Sequence, residues 1–179
     1  VVSFNFWGHG TLSAKNILTR GSVEKWFIQT RKEVAKLRAQ VGNQLYVFGL
    51  SLGGIYALGM LEEFPDLLGG GVFASPIFDD SNELFQKLEM TFTAYAKQIQ
   101  QFDETRTSSE KETELQYITA HLPKQLTEIK TLQDYVKERL PQIKAPVFIG
   151  QGTADEIIDS TKASVLANNL PNSTGVTLH

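Results

Sequence analysis

Gly49-Leu50-Ser51-Leu52-Gly53 places a serine between two glycines, and Gly54 follows directly. A lone serine hydroxyl is a weak nucleophile; it needs a base to take its proton and an acid to orient that base. The five-residue pattern carries little by itself, so its surroundings decide its meaning. Here an apolar run at residues 45–48 stops at the motif, and apolar residues resume at helical spacing over 52–64. A strand, a sharp turn and a helix are the setting in which a serine is held in a strained backbone conformation at a sheet edge. Glycines two residues to either side remove Cβ atoms that would clash where strand and helix cross. The hydroxyl then stands beside the helix N-terminus, where the Leu52 backbone N–H can donate to a developing oxyanion. A phosphate cradle is the competing use of such a turn. It wants Lys and Ser or Thr after the glycines, and Ile55-Tyr56-Ala57 supplies neither.

In this arrangement the partners follow in the order serine, acid, histidine. Asp155, in VFIGQGTADEII, stands just past another apolar run, on a short loop tightened by Gly150 and Gly152, and is the leading acid. Glu156 and Asp159 compete with it, because acids also collect in a helix's first turn. Asp79 and Asp80, after the preceding strand, are the fallback. The chain has 3 histidines. His9 precedes the serine between two glycines and reads as a turn near a pocket rim; His121, beside Pro123, reads as a surface residue. His179 has the right order but continues the last strand, whereas the base belongs on the loop beyond it. The expectation is a base lying past His179, with His179 itself the lesser candidate.

To carry these residues the chain must supply strands that end at one edge. Residues 1–6 read as a first strand, closed by Gly8-His9-Gly10. Ser22 starts a helix in which Val23, Trp26, Phe27, Thr30, Val34 and Leu37 share a face, and Gly42 ends it. Residues 45–48 are continuously apolar, as in a strand buried on both faces of a parallel sheet. Residues 70–74 and 146–150 read as further strands, 160–169 as a helix and 175–178 as a last strand. Strand alternating with helix means an α/β fold, a mostly parallel sheet flanked by helices.

Residues 77–140 break that alternation. Leu84, Phe85, Leu88, Phe92, Tyr95, Ile99 and Phe102 recur at helical spacing, and the polar gap DETRTSSEKE follows. Beyond it come residues 115–121 and a separate helix after Pro123 carrying Leu126, Ile129, Leu132, Tyr135, Val136 and Leu140. This reads as a small helical cap inserted between two strands, either an extra pair of packing helices or a lid over a pocket, and its aromatics tilt the reading toward the lid. The chain thus divides into two core parts, residues 1–76 and 141–179, around the insertion at 77–140.

The bulk numbers narrow the classes further. Hydrophobic content of 41% and charged content of 21% are ordinary for a soluble globular protein, and a net charge of −3 offers no basic field to nucleic acid or acidic membranes. No apolar run is long enough to span a bilayer. Zero cysteines exclude a disulfide framework, a thiol nucleophile and a cysteine metal site. With Val at residue 1 and strand-like residues at both ends, the expectation is a fragment cut inside sheet elements.

GHG at residues 8–10, GLSLGG at 49–54, SPI at 75–77 and APVFIGQGTADEII at 145–158 together resemble the α/β-hydrolase superfamily. More narrowly they resemble its bacterial carboxylesterases related to monoacylglycerol lipases. The resemblance spans nearly the whole chain and implies an α/β-hydrolase fold with a small helical cap. It maps the nucleophile onto Ser51, the acid onto Asp155 and one oxyanion donor onto the Leu52 N–H. The histidine and the second oxyanion donor would stand in loops beyond the two ends. It implies hydrolysis of a small-molecule carboxylic ester through an acyl-enzyme, with no metal or organic cofactor, no nucleic-acid partner, no stable membrane insertion and a cytoplasmic location. Phe78, Phe85, Phe92 and Tyr95 would line an acyl site for short- to medium-chain esters. A monoacylglycerol lipase, an acyl-thioesterase and a non-catalytic binding module of the same fold are the alternatives.

Overall fold

Two helices, α1 (Lys15–Arg20) and α2 (Val23–Val41), precede a sheet of four strands: β1 (Tyr46–Leu50), β2 (Gly69–Phe73), β3 (Val147–Gly152) and β4 (Ser173–Leu178). The computed structural model describes residues 1–178, so His179 lies outside the described residues. The strands pair in chain order and all in parallel, with Leu50 opposite Phe73, Phe73 opposite Gly150 and Gly152 opposite Leu178. Parallel pairing brings the C-terminal ends of all four strands to one edge. The residues that follow β1, β2 and β3 therefore meet there: Ser51, Ala74 and the loop of Asp155.

Helix α3 (Leu52–Glu63) joins β1 to β2, and α6 (Lys162–Asn169) joins β3 to β4. An unbroken strand order with crossovers of one hand places such connecting helices on the same face of a sheet. On that face Val72, Val147 and Ile149 bury against Ile55, Leu58 and Leu61 of α3 and Leu166 of α6, with Trp26, Phe27 and Val34 of α2 behind them. The opposite face is open along β1, where Tyr46, Phe48 and Leu50 are 59%, 67% and 69% exposed. The expectation of a strand buried on both faces is thus corrected. Alternation is present in β1, but the second set of positions is apolar too and no described element covers it.

Residues 1–6 form no strand, which corrects a second expectation. A strand exists only as a pairing, and these residues are separated from β1 by a cleft of about 310 Å³. Gln29 of α2 takes the place of a neighbouring strand: its Nε2 donates to Asn5 O (3.0 Å), and its Oε1 accepts from Trp7 N–H (3.1 Å).

The insertion between β2 and β3 consists of α4 (Asn82–Gln101), α5 (Ser108–Lys137) and a short 3-10 turn, Leu140–Gln142. Thr107 and Glu110 form a capping box that starts α5 inside the polar gap. The break expected around Pro123 is absent; α5 runs through it. Proline removes one helical donor, but Ile118, Leu122 and Leu126 bury along a single side and keep the helix continuous. Leu132, Val136 and Leu140 join the main core, while Ile118 and Ala96 form a second, smaller cluster with Ala14 beside α1. Among the described residues no helix is long and apolar enough to cross a membrane.

Candidate active site

Ser51 adopts φ 53° and ψ −122°, between the end of β1 and the start of α3. Among the described residues only two non-glycine residues have positive φ, Ser51 and Ala74, and they follow adjacent strands. Such a conformation costs on the order of 1–3 kcal/mol and persists only where the surroundings over-determine it. Two contacts hold it: Ser51 N–H donates to Phe73 O (2.9 Å), and Gly54 N–H donates back to Ser51 O (2.9 Å). Gly49 makes the turn sterically feasible, because a Cβ there would lie 1.9 Å from Gly53 O. Gly53 does not share that role. A Cβ on it would meet nothing within 4 Å, which corrects the expectation that both flanking glycines relieve a clash. Gly54 is the second tight position, 3.1 Å from Ser75. Among the described residues the Leu52 N–H has no acceptor, as expected of a helix's first turn.

The competing acids separate by their surroundings. Asp155 is half-buried; its Oδ1 accepts from Ile157 N–H and Ile158 N–H, both at 2.9 Å, and its Oδ2 accepts from Gln151 Nε2 at 3.2 Å. One oxygen is fixed by backbone, and the other keeps spare acceptor capacity. Asp159 is exposed and binds Thr161, whose hydroxyl and N–H draw its carboxyl below the ordinary range; Glu156 is exposed. Asp79 is buried with Oδ1 turned onto Ser81, and Asp80 pairs with Lys137 at 3.6 Å.

His9 is half-buried between the rings of Phe6 and Trp26, and burial holds its imidazole below the ordinary value. His121 is exposed on α5 and stacks on Tyr117 at 3.9 Å. Among the described residues, the contacts of these rings are with Phe6, Trp26 and Tyr117 and not with Ser51 or Asp155. Of the aromatics expected around an acyl chain, Phe78 and Phe92 pack against the main core. Phe85 lines an outer groove of about 410 Å³ between α4 and α5 with Pro123 and Leu126, and Tyr95 is exposed. At the C-terminal ends of β1, β2 and β3, Leu50, Phe73 and Ala74 line an open apolar depression with Gly150 and Gly152.

Sequence reasoning overlooked Ala74, Gln151 and Gln133. Gln151 had a signal, a lone polar residue in an otherwise apolar strand. Gln133 had a weaker one, an amide on the apolar side of α5 between Ile129 and Val136. Ala74 had none, since alanine does not advertise a positive φ.

A parallel sheet with its connecting helices, and a serine in a left-handed turn between strand and helix, define the α/β-hydrolase class. The chain matches the hydrolase family described as serine aminopeptidase, S33, over residues 1–179, and it belongs to that family. Among solved structures, a chain from LipS and LipT, two metagenome-derived lipolytic enzymes, is similar at a TM-score of 0.67 and 17% identity, covering 98% of this chain and 70% of that one. Est816, described as an N-acyl homoserine lactone degrading enzyme, gives 0.58 and 18%, covering 97% and 72%. The monoacylglycerol lipase of Paleococcus ferrophilus gives 0.55 and 19%, covering 88% and 65%. The chain therefore spans 65% to 72% of the length of these three. No curated protein matches it in sequence.

Proposed function

We propose that the protein is a serine carboxylesterase acting on short- to medium-chain esters, with Ser51 as nucleophile and Asp155 as the acid of its triad. The observation that carries the reading is the Ser51 backbone at φ 53°, strained at the sheet edge where the Asp155 loop also emerges. At an inert turn Gly would occupy φ 53° without that strain, so the serine hydroxyl is what the position gains.

A histidine following β4 takes the Ser51 proton as Oγ bonds to the ester carbonyl carbon. Asp155 holds that imidazole through Oδ2 and stabilises its charged form. The Leu52 N–H donates to the oxyanion of the tetrahedral intermediate. The imidazolium then protonates the leaving alcohol as the C–O bond breaks, leaving an acyl-Ser51. Water, deprotonated by the same histidine, attacks the acyl carbon and releases the acid. A histidine encoded after His179 is the leading base, and His179, which has the required order, is the lesser candidate. Residues 77–140 serve as a cap on a core of 1–76 and 141–179, with Phe78 and Phe92 nearest the acyl chain and Phe85 and Tyr95 toward its outer rim. The reading needs no metal or organic cofactor, and a cytoplasmic location comes with the resemblance alone.

The names of the structural neighbours, lipolytic enzymes and a lactone-degrading enzyme, favour esters; the family's name favours peptides. The test is turnover by the full-length protein, expressed with any residues its gene encodes on either side. We expect kcat/KM on p-nitrophenyl esters to peak at short to medium acyl chains and Ser51→Ala to lower kcat by about four orders of magnitude or more. Higher kcat/KM on aminoacyl p-nitroanilides or on acyl-thioesters would overturn the substrate assignment.

A further inference from the structure

Gln133 lies toward the C-terminal end of α5 with 0% of its surface exposed. Its Nε2 donates to Pro76 O at 2.6 Å and to Asp79 O at 2.9 Å, so one side-chain amide spans the loop that leaves β2. The Oε1 of the same side chain is buried with no partner among the described residues. An orphaned acceptor costs about 1–3 kcal/mol, and packing alone would favour Leu or Met at this position. The donor half of the amide must contribute something an apolar residue lacks.

The loop it holds leans on the serine turn. β2 ends at Phe73, whose carbonyl accepts from Ser51 N–H. Ala74 follows at φ 45°, the other left-handed non-glycine residue. Ser75 is buried next, so close to α3 that a Cβ on Gly54 would meet its Cβ and Oγ at 3.1 Å. Asp79 N–H then closes the loop on Pro76 O at 2.9 Å. Gln133 thus grips Pro76 and Asp79, the far part of a short segment that leaves the strained Ala74, passes the first turn of α3 at Ser75 and reaches the start of the insertion.

We propose that Gln133 is a positioning residue: through the loop at 74–79 it fixes the first turn of α3, and with it the Ser51 hydroxyl and the Leu52 N–H. It touches no reacting atom. Because α5 belongs to the insertion, the same amide couples the seating of the insertion to the geometry of the serine turn. The kinetic consequence rests on the reading of Ser51 as nucleophile; the structural half stands on contacts alone.

Gln133→Met keeps the length and packing of the side chain while removing both donors and the orphaned acceptor. Gln133→Asn, which keeps the amide but withdraws it by one methylene, serves as the second variant should Met impair folding. In the full-length protein, with a p-nitrophenyl ester, we expect kcat to fall about tenfold to a hundredfold, as small misplacements of a reacting group do. KM should stay within about threefold, and the thermal midpoint should barely move, because loss of the donors is offset by loss of the orphan. Hydrogen exchange should quicken at the bonded amides of Ser51, Gly54, Ala74 and Asp79 and remain unchanged in β3. Unchanged exchange at Ser51 and Gly54 overturns the proposal, and so does quickened exchange with unchanged kcat. A kcat loss that merely tracks a general loss of stability overturns it as well. If Ser51→Ala leaves turnover intact, the nucleophile reading fails by itself, and the exchange at the Ser51 and Gly54 amides still decides whether Gln133 braces the turn.

Discussion

The serine turn and the helical insertion are held in place by opposite means. At the turn the decisive contact spans four residues: a Cβ at Gly49 would strike the carbonyl of Gly53 at 1.9 Å. In the insertion the decisive contacts join residues far apart in the chain. Gln133 donates to Asp79, 54 positions away, and Ser13 donates to Glu114, 101 positions away. Glu114 is 4% exposed and collects four donors: Ser13 Oγ at 2.5 Å, Lys15 N–H at 2.9 Å, Gln100 Nε2 at 3.0 Å and Arg106 Nη1. Arg106 in turn donates to Asp103 Oδ2 and to Leu12 O. The serine turn is thus built by local sterics, and the helical insertion by buried polar contacts that tie it to the core at both ends.

If that contrast is right, the largest effect comes from Gly49→Ala. Its methyl has only backbone to displace, so the variant should lose about 3–5 kcal/mol of stability, read by urea denaturation. A loss within experimental error would mean the turn can open without cost.

Glu114→Ala should come next, at about 3 kcal/mol, because it strands Arg106 and three neutral donors. A sharper form of the same test uses pH. Burial by itself would raise the Glu114 carboxyl, but hydrogen bonds from Ser13, Lys15 N–H, Gln100 and Arg106 outweigh it and bring it down to about 2, from an ordinary value of 4.5. A folded-state value below the unfolded one stabilises fully above about pH 4.5, and that contribution is lost as pH falls toward about 2. Denaturation curves of the parent protein should steepen in their pH dependence across this window, and Glu114→Gln should flatten them. Parallel curves would remove Glu114 from the account.

Smaller still is Ser51→Gly, which relieves the left-handed strain and should stabilise the fold by about 1 kcal/mol while abolishing turnover. A destabilised variant would show that Ser51 is unstrained. Smallest is Gly53→Ala: open space and better helix propensity predict a change within about 0.5 kcal/mol. A loss as large as that of Gly49→Ala would erase the distinction between the two glycines.

The same contrast explains what could be read from the residues in order. Strand, glycines, serine and helix are consecutive, so the Ser51 turn and the parallel α/β core were legible, as were the Ser22 cap and the Gly42 stop of α2. Asp155 could be placed at the serine's edge because parallel strands share their C-terminal end. Residues 1–6 were not legible as coil, since a strand-like composition says nothing about whether a partner edge lies alongside. Pro123 looked like a break because the burial of Ile118, Leu122 and Leu126 on one side is a tertiary fact. Gln133 and Glu114 were invisible for the same reason: each acts on a segment more than fifty residues away. The open face of β1 was hidden by its composition, as an apolar strand reads as buried whether or not anything lies over it.

The central claim is that Ser51 is an activated nucleophile and not an inert turn residue. Its most direct test is intact-protein mass spectrometry after exposure of the full-length protein to a fluorophosphonate, followed by peptide mapping. The account predicts one covalent phosphonyl adduct, on the peptide containing Ser51 and absent from Ser51→Ala. An unmodified protein, or an adduct that persists in Ser51→Ala, would contradict it.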